Sequence, residues 1–473
     1  MGPHAAKQLP DGDPTSVKQL PDGDPTSVKQ LPDGDPTSVL RRAPFSDNPR
    51  VGARGQRAHQ RILEAALQVF GEEGYHQCGV IRITEVAGCS RAAFYQYFSS
   101  KEDVFRHLAG QVARQLVASA EALGPVTADL DGWRTLRAWV ARHGEIYDRY
   151  EPVFEAHQAA AETDEAVASG SARIADRTVA EVRAKLTTSV LPSRQLDEAI
   201  AILLECMTRA RGVAEIVGAA LPGAGGAPGY PRSRVDDAIT DVVHRALVGG
   251  LDPAVNVHAA AKRRPPRVPL GPVMLQGLQT EDGPEDLSPT GARTLAALLA
   301  ASHDVLVARG YHGTRVDDIT QAAKVSHGAF YRYFDNKDHL IRLLAVRAIR
   351  TVSVAMADIP DIAGGPAASG RTTSATLRQW LRRYQTTQAS EAAMIRVWLD
   401  ATADDPSLQP ESAAALDWGR RRLARFLEPR GFGDVDTEAL VMVALLDAFG
   451  ARTVGPSTIP ATAHIIERGF LGR

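Results

Sequence analysis

Cysteine is scarce in this chain of 473 residues, and aromatic residues make up only 6% of it. The three cysteines, Cys78, Cys89 and Cys206, form no close pair and no spacing typical of a metal site. We therefore expect no disulfide framework and no bound metal, and a reducing, cytoplasmic setting. The sequence has no run of 18 or more apolar residues and no N-terminal signal segment, so we predict no membrane span.

Neither sign of charge dominates, since 54 lysines and arginines oppose 56 acidic residues. This balance excludes a bulk polycation, so any binding of nucleic acid must come from local positive patches. The sequence also lacks a nucleophile elbow, a phosphate loop, a His/Cys metal set and a dinucleotide fingerprint. We therefore predict that the protein is not an enzyme and uses no cofactor.

Residues 1–50 are predicted to form a disordered tail. The segment KQLPDGDPTSV occurs there three times without change, at 7–17, 18–28 and 29–39. Each copy carries two prolines and only two large apolar side chains, too little apolar surface to offset the entropy of ordering. The repeats are either a duplicated spacer, which the composition favours, or a tether that binds a partner.

The remaining chain is predicted to be all-α, because its apolar residues recur at helical spacing and no alternating strand pattern appears. It divides into two similar units. The first unit has a small three-helix domain at 51–105 and a larger helical domain at 106–250. A proline-rich and basic linker at 251–288 precedes the second unit, whose two domains span 289–341 and 342–473.

The segment SRAAFYQYFSSKE at 90–102 returns 236 residues later as SHGAFYRYFDNKD at 326–338. Phe94 and Phe98 lie one helical turn apart and so share a face, which predicts that both enter a core. A first helix is predicted from apolar residues at helical spacing, Ile62, Ala65, Ala66, Val69 and Phe70, and Gly74 ends it. A second, short helix is predicted at about Ile83–Gly88, and Ser90 is placed to cap a third, which runs to about Phe98. Three short helices with a tight turn between the second and third are typical of a helix-turn-helix. In that motif the third helix lies in the major groove of DNA.

Two stretches, GYHQCGVIRITEVAGCSRAAFYQYFSSKEDV and GYHGTRVDDITQAAKVSHGAFYRYFDNKDHL, resemble the DNA-binding signature of the TetR family of transcriptional regulators. The second is the closer match. In the first, Cys78 and Gly79 replace the usual hydroxyl-bearing residues, and Ile81-Arg82 is unusual. The resemblance implies two tandem TetR-like units, each with a helix-turn-helix head and a helical ligand-binding and dimerisation domain. We call residues 51–105 the first head and 289–341 the second head.

Family members usually bind DNA as twofold dimers, so the resemblance implies double-stranded operator DNA as the partner. Tyrosine hydroxyls and a helix N-terminus with a lysine suit phosphate groups, and an arginine suits guanine. The predicted DNA contacts are Arg91, Ala93, Tyr95, Tyr97 and Lys101 in the first head, and Arg315, His327, Ala329, Tyr331, Tyr333 and Lys337 in the second.

The third helices of the two heads differ in sequence. Arg91 becomes His327, and Gln96 becomes Arg332. We therefore predict an asymmetric operator with two unlike half-sites.

The resemblance also implies an apolar or amphipathic effector, bound in the larger domains. The predicted pocket residues are Phe154, His157, Glu205, Cys206 and Met207 in the first unit, and Trp380, Tyr384, Met394, Trp398 and Phe449 in the second. Ordinary helix packing remains an alternative role for each of them.

The last helices of each unit, at 195–218 with 234–249 and at 436–452 with 459–471, are expected to form a pairing surface. An intramolecular pseudo-dimer and a homodimer of two chains both remain open. The alternative to a specific, ligand-responsive repressor is a helical ligand-sensing or architectural protein. Such a protein would bind DNA weakly or nonspecifically, with one helix-turn-helix, most readily the first, vestigial.

Overall fold

The computed structural model describes residues 53–220, 229–251, 288–360, 370–404 and 409–473. Within these ranges the fold is all-α, as predicted, and an isolated β-bridge joins Val126 to Leu186. The predicted tail at 1–50 and residues 252–287 of the predicted linker lie outside the described residues. Among the helices that the structure describes, none is both long enough and apolar enough to cross a bilayer.

The two units repeat the same order of helices. In the first unit the described helices are α1 (Ala53–Glu73), α2 (Val80–Ala87), α3 (Arg91–Tyr95), α4 (Lys101–Glu121), α5 (Leu130–Thr163), α6 (Glu165–Lys185), α7 (Ser193–Ala220) and α8 (Arg232–Val248). In the second they are α9 (Pro289–Gly313), α10 (Val316–Ala322), α11 (His327–Phe330), α12 (Lys337–Ala357), α13 (Gly370–Asp404), α14 (Gln409–Leu427), α15 (Val435–Gly450) and α16 (Thr458–His464), which continues as a π-helical turn at Ile465–Phe470.

The first head is built around the apolar stripe of α1. All five members of the predicted stripe are buried: Ile62, Ala65, Ala66, Val69 and Phe70. Gly74, with φ of +77°, ends the helix in the left-handed region, where glycine has no Cβ to clash. Helix α2 begins three residues earlier than the predicted Ile83, and α3 ends at Tyr95, three residues before the predicted Phe98.

Both third helices begin at a serine that caps them. Ser90 Oγ accepts the Ala93 N–H at 3.1 Å, and Ser326 Oγ accepts the Ala329 N–H at 3.3 Å. Serine at this position satisfies a backbone donor that has no partner within the helix. The cap predicted from the sequence is thus present in both heads.

An ion pair joins the first helix of each head to the second, and its polarity is reversed between the heads. In the first head Glu73 accepts from Arg82 Nε at 2.5 Å. In the second, Arg309 Nη1 donates to Asp318 Oδ1 at the same 2.5 Å. The two pairs occupy equivalent positions, 236 residues apart, so the contact is kept although both charges have changed sign.

The larger domains of the two units share one apolar core. It contains Cys206 and Val217 from α7 together with Val441, Leu445 and Phe449 from α15, all of them buried. The Cys206 thiol also lies 3.5 Å from the Val441 carbonyl oxygen. The four helices predicted to form a pairing surface are therefore in contact, with bounds within a few residues of those expected.

We expect Phe330→Ala to destabilise the second head by about 3–5 kcal/mol, because the side chain is fully buried and its loss leaves a cavity. Its neighbour Tyr331 is 50% exposed, so Tyr331→Ala should change the free energy of unfolding by about 0.5 kcal/mol or less. Denaturant unfolding and hydrogen exchange of both variants would check this. Equal losses in the two variants would contradict the assignment of Phe330 to the core.

Candidate nucleic-acid interface

We call α3 and α11 the reading helices; each has an anchored side and an exposed side. Phe94 is fully buried and packs on Phe98, with ring centroids 5.7 Å apart. On the opposite side Tyr95 is 51% exposed and Arg91 is exposed. In the second head Phe330 is buried in the same way, and Tyr331 and His327 are exposed. Burial of the phenylalanines thus leaves Arg91, Tyr95, His327 and Tyr331 facing solvent, while Ala93 and Ala329 are partly exposed.

The exposed surface of the second head carries a contact between a histidine and an aspartate that the sequence prediction missed. His327 Nε2 lies 3.1 Å from Asp317 Oδ1, and the His327 ring lies 5.1 Å from the ring of Tyr331. Arg315, just before α10, is also exposed. A carboxylate therefore stands beside the reading helix and orients its first side chain.

The first head has an exposed isoleucine where the second head has Asp317. This residue, Ile81, is 56% exposed at the beginning of α2. Gly79 occupies the position of Arg315, so this side of the first head is apolar and that of the second is charged. The repeat distance of 236 residues is the signal that could have identified Ile81 and Asp317 from the sequence.

Tyr97 and Tyr333 lie less open to solvent than their exposed neighbours. The Tyr333 hydroxyl donates to the Gly291 carbonyl oxygen at 3.2 Å, at the beginning of α9. Tyr97 is half-buried, and its ring meets His59 edge-on with centroids 6.1 Å apart. These tyrosines connect the reading helices to the first helix of each head. Their contact with DNA stays a prediction.

Lys101 and Lys337 bind backbone carbonyl groups of their own heads. Lys101 Nζ donates to the Tyr75 carbonyl oxygen at 2.7 Å and lies 4.6 Å from the centroid of that ring. Lys337 Nζ donates to the Tyr311 carbonyl oxygen at 2.8 Å, 4.0 Å from its ring centroid. The two lysines therefore fasten the fourth helix of each head to the tyrosine that follows a glycine with positive φ, Tyr75 after Gly74 and Tyr311 after Gly310. A phosphate contact for either ammonium group stays a prediction.

A cluster of histidines lies behind the reading helix of the first head only. His59 stacks on Phe98 with ring centroids 4.7 Å apart and meets His107 edge-on at 5.5 Å. Burial, and then the neighbouring His107, lower the pKa of His59 from 6.5 to about 4. At the equivalent positions the second head has Leu295 and Leu343, both buried.

The pocket residues predicted for the first unit are divided between two cores. Phe154 packs on the first head's core and on Tyr147, with ring centroids 5.2 Å apart. His157 Nε2 lies 2.5 Å from Ser171 Oγ, and burial lowers the pKa of the imidazole. Cys206 and Met207 belong instead to the core shared by the two units, and Glu205 pairs with Arg452.

The pocket residues predicted for the second unit are divided in the same way. Trp380 and Tyr384 stack with centroids 5.3 Å apart, and both belong to the shared core with Phe449. The Trp380 indole N–H donates to the Ala355 carbonyl oxygen at 2.9 Å. Met394 belongs to the core of the second head. The side chain of Trp398 lies outside the described part of the structure. A common ligand pocket for these residues stays a prediction.

In the part of the chain that the structure describes, no group of three or more His, Cys, Asp or Glu side chains is placed to hold a metal ion.

The candidate interface offers aromatic, hydroxyl, guanidinium and imidazole groups on two short exposed helices. Such groups contact phosphates and base edges in complexes with DNA.

Comparison with known proteins supports this interpretation. A family model described as bacterial regulatory proteins, tetR family, matches residues 62–108 and 298–344, which contain both reading helices. The chain is 33% identical over 134 residues to the HTH-type transcriptional repressor AcnR of Corynebacterium glutamicum, covering 27% of this chain and 70% of that protein. It is 36% identical over 89 residues to AcnR of Corynebacterium diphtheriae, covering 18% and 47%.

A third relative is the fatty acid metabolism regulator protein of Bacillus subtilis, which is 35% identical over 63 residues, or 13% of this chain and 32% of that protein. The matched part of the chain thus spans about half the length of the C. diphtheriae repressor and about a third of the B. subtilis protein.

The buried His59 should make the first head less stable in mild acid. Because folding lowers its pKa to about 4, the unfolded state binds a proton first as the pH falls below 6.5. Stability is therefore full above pH 6.5 and declines towards pH 4. Between pH 7 and pH 5 we expect a loss of about 1–2 kcal/mol, less than the full pKa shift implies because the decline continues to about pH 4.

His59→Leu, which copies Leu295 of the second head, should remove most of this pH dependence. Hydrogen exchange of the first head between pH 7 and pH 5 would measure it. Leu295→His is the matched control and should introduce a similar dependence into the second head. An unchanged pH profile in His59→Leu would show that another group causes the decline.

Proposed function

The chain belongs to the tetR family of bacterial regulatory proteins, and on that premise we propose that it is a ligand-responsive repressor that reads an asymmetric operator with two unlike heads. DNA-binding transcriptional regulation follows from the family. The asymmetric operator and the response to a ligand are our proposals. The observation that carries the asymmetric operator is that both heads have the same fold but expose different side chains.

The exposed differences lie where base edges would be read. Arg91 in the first head can pair with guanine O6 and N7, a contact that discriminates against the wrong base by about 1–3 kcal/mol. His327 at the same position is shorter and is engaged by Asp317 at 3.1 Å. Ile81 offers an apolar surface suited to a thymine methyl group, whereas a carboxylate such as Asp317 suits the amino group of cytosine. We therefore expect the two half-sites to differ in sequence.

We propose that the two units of one chain form an intramolecular pseudo-dimer. The apolar core shared by α7 and α15 supports this arrangement. A pair of heads on one duplex needs half-sites about 34–36 Å apart, one helical turn. Covalent linkage would supply the second head at high effective concentration without the need for a second chain.

We propose an apolar or amphipathic effector, bound within the larger domains. Two aromatic pairs support such a ligand, the tilted Tyr147–Phe154 and the stacked Trp380–Tyr384, because aromatic surfaces are typical of apolar binding sites. Binding would change the relative positions of the two heads and so their joint affinity for DNA, by a coupling free energy of a few kcal/mol.

One observation favours the alternative in which the first head binds DNA weakly. The first head has Gly79 and Ile81 where the second has Arg315 and Asp317, so it offers fewer polar groups at the beginning of its second helix. The dependence of DNA affinity on salt, measured on the selected operator and on random DNA, distinguishes a specific repressor from a weak, nonspecific DNA binder. A weak, nonspecific binder would show the same affinity on both.

Selection of bound sequences from a random DNA pool, followed by footprinting, is the test of the asymmetric operator. Arg91→Ala should relax base preference at one position in one arm only, with a loss of discrimination of about 1–3 kcal/mol. His327→Ala should affect a position in the other arm. A perfect palindrome, equally protected on both arms, would contradict the proposal.

Removal of one tyrosine hydroxyl should weaken binding to all DNA sequences alike. Tyr331→Phe deletes a phosphate donor on an exposed face, and we expect a loss of about five- to tenfold in affinity. Lys337→Ala should also weaken binding, but it removes the bond to the Tyr311 carbonyl oxygen and so costs stability as well. Titrations of operator and random fragments at fixed salt would measure both variants.

Tyr333→Phe tests the other predicted tyrosine contact separately, because its hydroxyl donates to the Gly291 carbonyl oxygen within the head. Unchanged affinity in this variant would contradict a DNA contact for Tyr333. Unchanged affinity in Tyr331→Phe and Lys337→Ala together would remove the DNA-binding role from the second head.

A further inference from the structure

The contact between the two units is strongly polar at one corner, where α8 of the first unit meets the beginning of α15 of the second. Arg234 donates to Asp434 through two hydrogen bonds, from Nε to Oδ2 at 2.6 Å and from Nη2 to Oδ1 at 2.9 Å. Beside it, the Tyr230 hydroxyl donates to Asp436 Oδ2 at 3.0 Å. We call this region, together with the neighbouring Arg245 and its partners, the α8–α15 corner.

Arg245 extends the corner along α8. Its Nη2 donates to Glu438 Oε2 at 2.6 Å, and its Nε donates to the Gly469 carbonyl oxygen at 2.6 Å. Arg430 Nη1 reaches the same Glu438 oxygen at 2.6 Å from within the second unit. The side chains of Tyr230, Arg234 and Arg245, all from the first unit, donate across the corner. In the reverse direction His464 Nε2 of the second unit lies 3.0 Å from the Ala246 carbonyl oxygen, which accepts.

These charges are shielded from solvent. The side chains of Asp434 and Glu438 are 9% and 0% exposed, and those of Arg234 and Arg245 are 19% and 16% exposed. A buried carboxylate that loses its cationic partner is strongly destabilising, because nothing replaces the water it gave up. Glu438 keeps Arg430 of its own unit as a partner, whereas Asp434 is paired with Arg234 of the first unit. The second unit therefore depends on the first for the arginine that neutralises Asp434.

The opposite corner, where α7 begins near α16, is built differently. There Arg452 and Thr458 of the second unit donate to Glu198 of the first, at 3.3 and 2.9 Å. Helix α7 begins Ser-Arg-Gln at 193–195, with no carboxylate in the place where α15 has Asp434 and Asp436. The polar contacts of the two corners are therefore not interchangeable.

The repeat alignment shows what a wrong partner would bring to the corner. The segment HRALVGG at 244–250 aligns with ERGFLGR at 467–473, and counting back without a gap brings Ser457, the residue before α16, to the position of Arg234. No arginine or lysine occurs anywhere in residues 453–463. A second copy of the second unit would thus offer a serine to Asp434. A second copy of the first unit would bring the helix start that carries Arg194 towards Arg234, an approach of like charges.

We infer that the α8–α15 corner selects the partner, so that a first unit pairs with a second unit and each unit rejects its own copy. The inference rests on the proposed intramolecular pseudo-dimer, and it adds a reason why each unit pairs with the other unit rather than with its own copy. Because neither unit can pair with its own copy without leaving a charge unmatched, the asymmetry of the DNA-binding heads is preserved in the assembled protein.

Charge exchange between two full-length chains tests this. One chain carries Arg234→Asp and the other carries Asp434→Arg, and each alone has like charges at the corner. We expect each to lose about 5 °C or more in thermal midpoint. Co-expressed with different tags, the two chains should exchange units and form an assembly of twice the 50.7 kDa chain mass, measured by sedimentation without DNA.

A single chain that carries both substitutions should sediment at the mass of one chain. Its thermal midpoint should recover at least half of the decrease that the single substitutions cause. Asp434 also accepts the Thr437 N–H at 3.3 Å at the beginning of α15. The singly and the doubly substituted chains with Asp434→Arg both lose this hydrogen bond. Its effect therefore cancels when their thermal midpoints are compared. Wild type co-expressed with Arg234→Asp is the matched control and should give no two-chain assembly above the wild-type level.

The inference is overturned if the two charge-reversed chains assemble no more than this control, or if the losses in the doubly substituted chain simply add. A wild-type chain that sediments at twice its mass would instead refute the proposed intramolecular pairing. Because DNA is absent from the measurement, failure to find an operator leaves the result unaffected.

Discussion

Burial of two phenylalanines one turn apart is the constraint on which each DNA-binding head depends. The reading helices span only five residues, Arg91–Tyr95, and four residues, His327–Phe330. Helices this short are unstable alone, because the first turn fixes several residues for very few hydrogen bonds. Phe94 with Phe98, and Phe330 with Phe334, hold them against the rest of the head. The same burial decides which side chains of the reading helices remain exposed to solvent.

The two heads have diverged while this geometry has stayed the same. The ion pair between the first and second helices keeps its 2.5 Å contact although Glu73 and Arg82 are replaced by Arg309 and Asp318. Behind the reading helix, histidines in the first head take the places of leucines in the second. The core thus tolerates changes of charge and polarity when partners change together. The outer faces, which need no internal partner, are free to differ.

The larger domains add a second kind of asymmetry. Their apolar core is continuous across both units, and apolar contacts alone distinguish poorly between similar partners. The polar corner is directional, since Arg234 of the first unit meets Asp434 of the second. A regulator with two unlike heads needs an interface that distinguishes its two units, because a symmetric interface would equally accept two copies of one unit.

The sequence alone determined the all-α fold, the two units, their family and the buried phenylalanines. Each of these follows from local periodicity or from a motif repeated in register, and local signals survive without knowledge of distant contacts. The ends of α2 and α3 were predicted less well, because tertiary packing and turn geometry set the limits of short helices.

Only the tertiary structure decided which side chains face each other across large distances in the chain. It placed Lys101 on the Tyr75 carbonyl oxygen, brought His327 to Asp317, divided the predicted pocket residues between separate cores, and joined Arg234 to Asp434. These contacts depend on how helices pack, and composition and spacing contain no information about that packing. The physical reason is that a lysine or arginine has the same local preferences whether it meets a phosphate, a carbonyl group or a carboxylate.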